Sequence, residues 1–192
     1  TSRIGRTLSY LLAEAGWLLY HELAHASDFL PPSERSRLSD NLGLSAWGFI
    51  EPLFSSGRLP SAVLSATYPL QPVEMFGLAQ VKFFGATPTD LQKSYTPNQV
   101  AGFFAPYGAT DEYNYATIRE DLAMLFEEFM MYRLNSGAWR RDVAITDKIL
   151  DATTSATLTV RWGQRGRIGE GVVRPRAQLV VGALAPWVPA SE

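Results

Sequence analysis

The sequence HELAHASDF, residues 21–29, closes an apolar stretch that begins near residue 7. Leucine, alanine and aromatic residues recur through residues 7–29 over most of the surface of a helix, and Pro31 and Pro32 prevent its continuation. We therefore predict one long helix over residues 7–29, buried in the core. Its few ionisable side chains include Glu14, His21, Glu22, His25 and Asp28.

Residues four positions apart lie on the same face of a helix, so His21 and His25 can both reach one metal ion. Glu22 lies beside them, where a carboxylate can take a proton from metal-bound water. Core histidines often bind no metal. However, these are the only two histidines in the chain, and buried ionisable groups need a compensating partner. The pattern therefore predicts a metal site with one zinc ion per chain.

The third protein ligand has to be a carboxylate unless a tyrosine or an amide serves, because the chain has no cysteine and no third histidine. A second long helix is predicted over about residues 115–135, where apolar residues follow the helical period and Gly137 follows the end. The stretch EDLAMLF at residues 120–126 lies in its first half.

HELAHASD and EDLAMLF together resemble the lethal-factor-like members of the glutamate zincins, metallopeptidases in which a second helix supplies a Glu as third zinc ligand. In that group the second helix reads approximately E-x-F-A-E-x-F, and here Met124 replaces the middle Glu. The resemblance implies His21, His25 and Glu120 as ligands and Glu22 as general base. It also implies an α+β, predominantly helical fold, zincin-like, with the active-site helix packed on the ligand-bearing helix. The resemblance covers roughly residues 15–30 and 110–130.

The same resemblance suggests further site residues. Such enzymes use a tyrosine upstream of the ligand Glu to stabilise the oxyanion; Tyr113, seven residues before Glu120, is preferred, with Tyr115 as the alternative. Asp28 is expected to accept a hydrogen bond from a ligand imidazole. In a continuous helix it lies about 10 Å along the axis from His21, which is a poor distance for sharing the metal.

The predicted function is that of a zinc endopeptidase or related amide hydrolase, acting on a peptide or protein. The alternative is a zinc-stabilised, catalytically weak binding module of the cell envelope. Glu22 favours the enzyme, because a structural zinc site needs ligands but no general base. A nucleic-acid-associated protease fits poorly, since those proteases use a third histidine, and nucleic acid is not expected as a partner.

Three further elements are predicted in the rest of the chain. TPNQVAGFF at residues 96–104 begins with a capping Thr96 followed by Pro97, which indicates a short helix. Another short helical segment is predicted near residues 139–151. A C-terminal β-hairpin is predicted within residues 153–185, formed by ATLTVRWGQ and AQLVVGAL with a glycine-rich turn between them.

A locally basic strip lies in the C-terminal part of the chain. We expect it to be the solvated face of the hairpin; the alternative is a docking surface for an anionic partner. The arginines of this strip are Arg161, Arg165, Arg167, Arg174 and Arg176.

The length of 192 residues fits a single domain over residues 1–192 with its own core. A net charge of -2, with 19% charged residues, indicates no strong electrostatic partner preference. No stretch of about 18 uncharged apolar residues occurs, so no transmembrane segment is expected. The lack of cysteine fits either a reducing or an exported environment. The chain starts with Thr1, as a processed or trimmed chain would, so a signal segment would not be visible. The compartment is therefore left open, with export to the periplasm, cell envelope or medium favoured.

Overall fold

The computed structural model describes residues 7–39, 46–137, 139–147 and 158–189. In these residues the protein is predominantly helical with a small two-stranded antiparallel sheet, consistent with the expected α+β class. The helices are α1 Leu8–Phe29, α2 Arg35–Ser39, α3 Ala46–Ser55, α4 Pro60–Thr67, α5 Val73–Phe84, α6 Asp90–Ser94, α7 Pro97–Phe104, α8 Ile118–Leu134 and α9 Arg174–Leu184. The strands are β1 Asp142–Thr146 and β2 Val160–Arg165, and short 3-10 turns occupy Pro32–Glu34 and Glu112–Tyr115. None of the described helices combines the length and the apolar character needed to cross a membrane.

The long helices α1 and α8 pack side by side, and both were predicted from the sequence. Each begins at a threonine whose hydroxyl accepts a hydrogen bond from a free backbone N–H of the first turn. Thr7 accepts from Tyr10 and Thr117 accepts from Glu120, both at 3.2 Å. The helix α7 also starts as predicted, with the Thr96 hydroxyl and the Gln99 side chain forming a reciprocal cap.

Of three apolar clusters among the described residues, two surround these helices, and the third is a small one around Leu53 and Leu59. The larger one surrounds the middle of α8, against which α1, α4 and α9 pack. The smaller one lies between α5, α7 and the two-stranded sheet of β1 and β2. Fully or nearly buried residues of the larger cluster include Ala24, Leu64, Leu122, Leu125, Phe126, Val180 and Leu184; those of the smaller one are Met75, Ala79, Phe104, Ala109, Tyr115 and Val143.

The prediction that α1 is buried in the core is wrong for one side of the helix. Its inner face is buried at Ala13, Ala24 and Asp28, but the opposite face carries a stripe of exposed leucines. Leu8 is 72% exposed and Leu19 is 56% exposed, because no described element packs over that side of the helix. The exposed leucines of α1 are Leu8, Leu11, Leu12, Leu18, Leu19 and Leu23.

The prediction of a C-terminal hairpin within residues 153–185 is also wrong, because its two predicted strands do not pair with each other. The strand β2 pairs antiparallel with β1, which lies where a short helix over residues 139–151 was expected. The predicted second strand, AQLVVGAL, lies in α9 instead. Its apolar residues recur at positions 177, 180, 181 and 184, which is the helical period, and all four are buried against the α8 core. Residues 148–157 of the two predictions lie outside the described residues.

The basic strip does not form one solvated face. Arg167 is fully buried and donates hydrogen bonds to the carbonyl oxygens of Ala105 and Ala109. Arg176 is buried as well, where it binds the Asp121 carboxylate. These two arginines are structural, since buried guanidinium groups need acceptors for most of their five N–H donors.

Candidate metal centre

Three donor atoms converge where α1 packs against α8. Nε2 of His21 lies 3.0 Å from a carboxylate oxygen of Glu120 and 3.1 Å from Nε2 of His25. His25 Nε2 lies 3.4 Å from the same Glu120 oxygen. All three side chains are partly buried. The two positions four apart on α1 and the one on α8 thus meet as the sequence predicted.

The spacing of these atoms suits a small tetrahedral metal ion. Ligand atoms about 2.0–2.1 Å from a tetrahedral zinc lie roughly 3.3 Å from one another. The three observed separations, 3.0, 3.1 and 3.4 Å, bracket that value. Two imidazole nitrogens and a carboxylate are also a donor set that divalent transition metals accept. His21, His25 and Glu120 therefore form a group that could hold a metal ion.

Hydrogen bonds and charges within the centre shift the pKa values of His21 and Glu120 in opposite directions. Hydrogen bonds that the His21 ring donates to Glu120 and then to Glu127 raise the pKa of His21 to about 9, against the effect of burial. Burial would raise the pKa of Glu120, but its hydrogen bonds with His21 and His25 outweigh this and lower that pKa to about 2. Without a metal, Glu120 is therefore ionised and His21 protonated at neutral pH, so a metal ion that binds Nε2 of His21 would have to displace a proton from that ring.

Glu127 is a site residue that the sequence reasoning missed. Its carboxylate lies 3.0 Å from Nδ1 of His21, on the opposite side of the ring from Glu120. Arg141 binds the other Glu127 oxygen and stacks on the ring of Trp17, 4.9 Å from its centroid. Glu127 is seven residues after Glu120, so the two share a face of α8; this spacing could have identified it. It supplies an acid beside the candidate ligands, although Met124 stands where a Glu was expected.

Asp28 does not orient an imidazole, which corrects the sequence prediction. It is fully buried, and its two oxygens accept hydrogen bonds from the backbone N–H of Ser61 at 2.8 Å and from the Ser61 hydroxyl at 2.7 Å. Ser61 is the second residue of α4, whose free N–H groups and dipole favour an anion. Burial raises the pKa of Asp28 while the Ser61 contacts oppose the shift. Asp28 thus fastens α1 to α4.

Tyr113, but not Tyr115, belongs to the centre. The Tyr113 ring stacks on His21 with centroids 6.1 Å apart and planes at 20°. Burial, and then the charge of Glu120, raise the pKa of Tyr113, which keeps its phenol protonated as a hydrogen-bond donor. Tyr115 is fully buried in the smaller core cluster, where its hydroxyl donates to the carbonyl of Gln71 at 2.8 Å.

A cleft of about 440 Å³ opens onto the centre from solvent. His21, Glu22, Tyr113, Glu127 and Arg141 line it, and Glu22 is exposed. Glu22 is adjacent in sequence to a candidate ligand, and it lines the open cleft. The arrangement brings an exposed carboxylate, a protonated phenol and a candidate metal site to one cleft.

Comparisons of the chain with protein-family models, with curated proteins and with solved structures find no match.

Proposed function

We infer that the protein is a zinc-dependent peptidase, an endopeptidase with a single catalytic domain of the glutamate-zincin kind. One observation carries the inference: the two histidines of HELAH and Glu120 of α8 converge within 3.4 Å of one another beside the exposed Glu22. A purely structural histidine cluster would not need an exposed carboxylate at its rim.

Zinc is the metal that suits the donors best. Two neutral imidazoles and one carboxylate leave the fourth tetrahedral position open, which is the pattern of catalytic rather than structural zinc sites. Magnesium and calcium prefer six or more oxygen ligands. A zinc ion at His21, His25 and Glu120 would polarise a substrate carbonyl and lower the pKa of bound water to about 7.

The residues around the donors supply the remaining steps of amide hydrolysis. Glu22 takes a proton from the attacking water and later delivers it to the leaving amine. The Tyr113 phenol donates a hydrogen bond to the oxyanion of the tetrahedral intermediate. Glu127 holds the His21 ring through Nδ1, and Arg141 in turn holds Glu127.

A zinc-stabilised binding module of the cell envelope is the second candidate. The exposed leucine stripe of α1 favours it, because large contiguous apolar surfaces often mark interaction sites. The two candidates differ in what they require of Glu22. A binding module would retain its function without this carboxylate, whereas a peptidase would lose its general base.

The decisive experiment combines metal analysis with cleavage of an unstructured protein. The wild type is expected to carry about one zinc per chain and to cleave, and Glu22→Gln to keep the zinc but lose the cleavage. Glu14→Gln, a change of the same kind in the same cleft, is the control and should still cleave. Loss of zinc in Glu22→Gln would make Glu22 a ligand, and full activity in that variant would refute the mechanism.

A further inference from the structure

An apolar groove of about 380 Å³ lies between α5 and β1, apart from the cleft at the candidate metal centre. Leu78 and Ala79 of α5 form one wall, and Phe104 of α7 contributes to the floor. The opposite wall is β1, through Val143, Ala144, Ile145 and Thr146. The volume is within the range of small-molecule binding sites, about 300–1,000 Å³.

The groove follows the edge of β1 rather than one face of the strand. Successive side chains of a strand point to opposite faces, so a pocket on one face would contact every second residue. This groove contacts four consecutive residues, from Val143 to Thr146. The other edge of β1 pairs with β2, and no further strand among the described residues pairs with β1. The edge that faces the groove therefore offers backbone donors and acceptors.

Two packed aromatic rings lie between the groove and the candidate metal centre. Phe83, which lines the groove, packs edge-on against Tyr113 with centroids 4.7 Å apart, and Tyr113 stacks on His21 at 6.1 Å. The groove is thus on the order of 10 Å from the candidate ligands. An extended peptide advances about 3.3 Å per residue and covers that distance in about three residues.

The lining also restricts which side chains the groove accepts. Its charged residues, Lys82 and Glu112, form an ion pair with each other. A charged side chain entering the groove would lose water without meeting an unpaired charge of opposite sign in the lining. A large apolar side chain would instead bury its surface against Leu78, Ala79 and Phe104.

Resting on the proposed peptidase activity, we propose that the groove is a substrate subsite. It binds an extended peptide along the free edge of β1 and takes one large apolar side chain, such as Leu or Phe, about three residues from the scissile bond. The backbone hydrogen bonds supply affinity without regard to sequence, and the apolar side chain supplies the specificity.

The test uses binding, so that it does not depend on catalysis. Zinc-loaded Glu22→Gln protein is titrated into fluorescein-labelled decapeptides of Gly and Ser that carry either one Leu or one Asn at the same position, with anisotropy as readout. The Leu peptide should bind about ten- to a hundredfold more tightly than the Asn peptide, the range expected for burying one leucine side chain.

Filling the groove provides the matched pair of variants. Ala144 is exposed on β1 and lines the groove, so Ala144→Trp in the Glu22→Gln background should abolish the preference for Leu. Val160→Trp places the same ring on exposed β2, outside the groove lining, and should leave the preference intact. Near-ultraviolet circular dichroism of both variants checks that the hairpin is folded.

The outcomes separate this inference from the proposed function. A Leu preference that Ala144→Trp abolishes supports the groove as a binding site even if the wild type cleaves nothing. Equal binding of the two peptides, or a preference that survives in Ala144→Trp, overturns the subsite even if the wild type is an active peptidase. A wild type that is a dimer, together with an Ala144→Trp variant that is a monomer, would also overturn the subsite. A second copy of the chain would then occupy the groove.

Discussion

Glu127 contacts Nδ1 of His21 at 3.0 Å, and Glu120, on the same helix, contacts Nε2 of the same ring at 3.0 Å. One imidazole is therefore held from both sides by two carboxylates of α8. Seven residues separate the carboxylates, which is about two helical turns or 10 Å of rise. The tilt of the His21 ring is thereby fixed by the packing of α1 on α8.

Removing Glu127 should weaken metal binding, although Glu127 is not in the ligand set. Glu127→Ala leaves Nδ1 of His21 without its acceptor, and the affinity for zinc should fall about 10- to 100-fold. Glu127→Gln keeps an acceptor oxygen and should recover most of the affinity. Competition with a zinc-binding dye measures both variants. Unchanged affinity in Glu127→Ala would show that Glu127 has no part in orienting the ring.

Glu120 and Asp28 should differ in what they support. Glu120→Gln should lose bound zinc, because an amide is a poor zinc ligand. Asp28→Asn should keep its zinc but lower the free energy of unfolding by about 1–3 kcal/mol, since Ser61 loses its charged acceptor. Metal analysis and urea unfolding of the same two preparations test both statements. If Asp28→Asn strips the zinc while Glu120→Gln retains it, the ligand assignment is wrong.

Tyr113 and Tyr115 should also differ in what they support: Tyr113 should affect turnover, and Tyr115 should affect stability. Tyr113→Phe should lower kcat by roughly 10² to 10³, the usual effect of losing one oxyanion donor, with little change in zinc affinity. Tyr115→Phe removes the hydrogen bond to the Gln71 carbonyl and should cost about 1 kcal/mol of stability with kcat retained. A large loss of kcat in Tyr115→Phe alone would reverse the assignment.

The residues that sequence reasoning located are those whose position follows from one helix. The caps of α1 and α8, and the spacing of His21 and His25, depend only on local chain geometry. The prediction of Glu120 also depended on the zincin resemblance. In the structure Glu120 lies beside His21 and His25. The acidic partner of His21 was overlooked, although the seven-residue interval from Glu120 to Glu127 is as local as these features.

The features that were wrongly predicted depend on contacts between distant segments. Asp28 was assigned to an imidazole because nothing in the sequence places Ser61, 33 residues later, beside it. Arg167 is buried because carbonyl groups about 60 residues earlier accept its hydrogen bonds. For the short apolar runs in β1 and α9, packing decided the secondary structure over local propensity.

Glu128 offers a pH-dependent test of the α8 packing that is independent of activity. The side chain is fully buried, and neither carboxylate oxygen has a hydrogen-bond partner among the described residues. Burial raises the pKa of Glu128 to about 8, although Arg141 opposes the shift. The group is therefore neutral in the folded protein below about pH 8, but ionised in the unfolded chain above its ordinary value near 4.5.

Between these two values folding takes up a proton, so stability should fall as the pH rises from about 4.5 to about 8. Glu128→Gln cannot ionise and escapes this loss. Its free energy of unfolding, relative to the wild type, should rise across that interval by about 4–5 kcal/mol, since each unit of pKa shift is worth about 1.4 kcal/mol. Urea unfolding at pH 5, 7 and 9 measures the difference, with Glu14→Gln on the exposed surface of α1 as the control that should change little. A difference between Glu128→Gln and wild type that is constant over the three pH values would show that Glu128 is ionised, and therefore solvated or paired, in the fold.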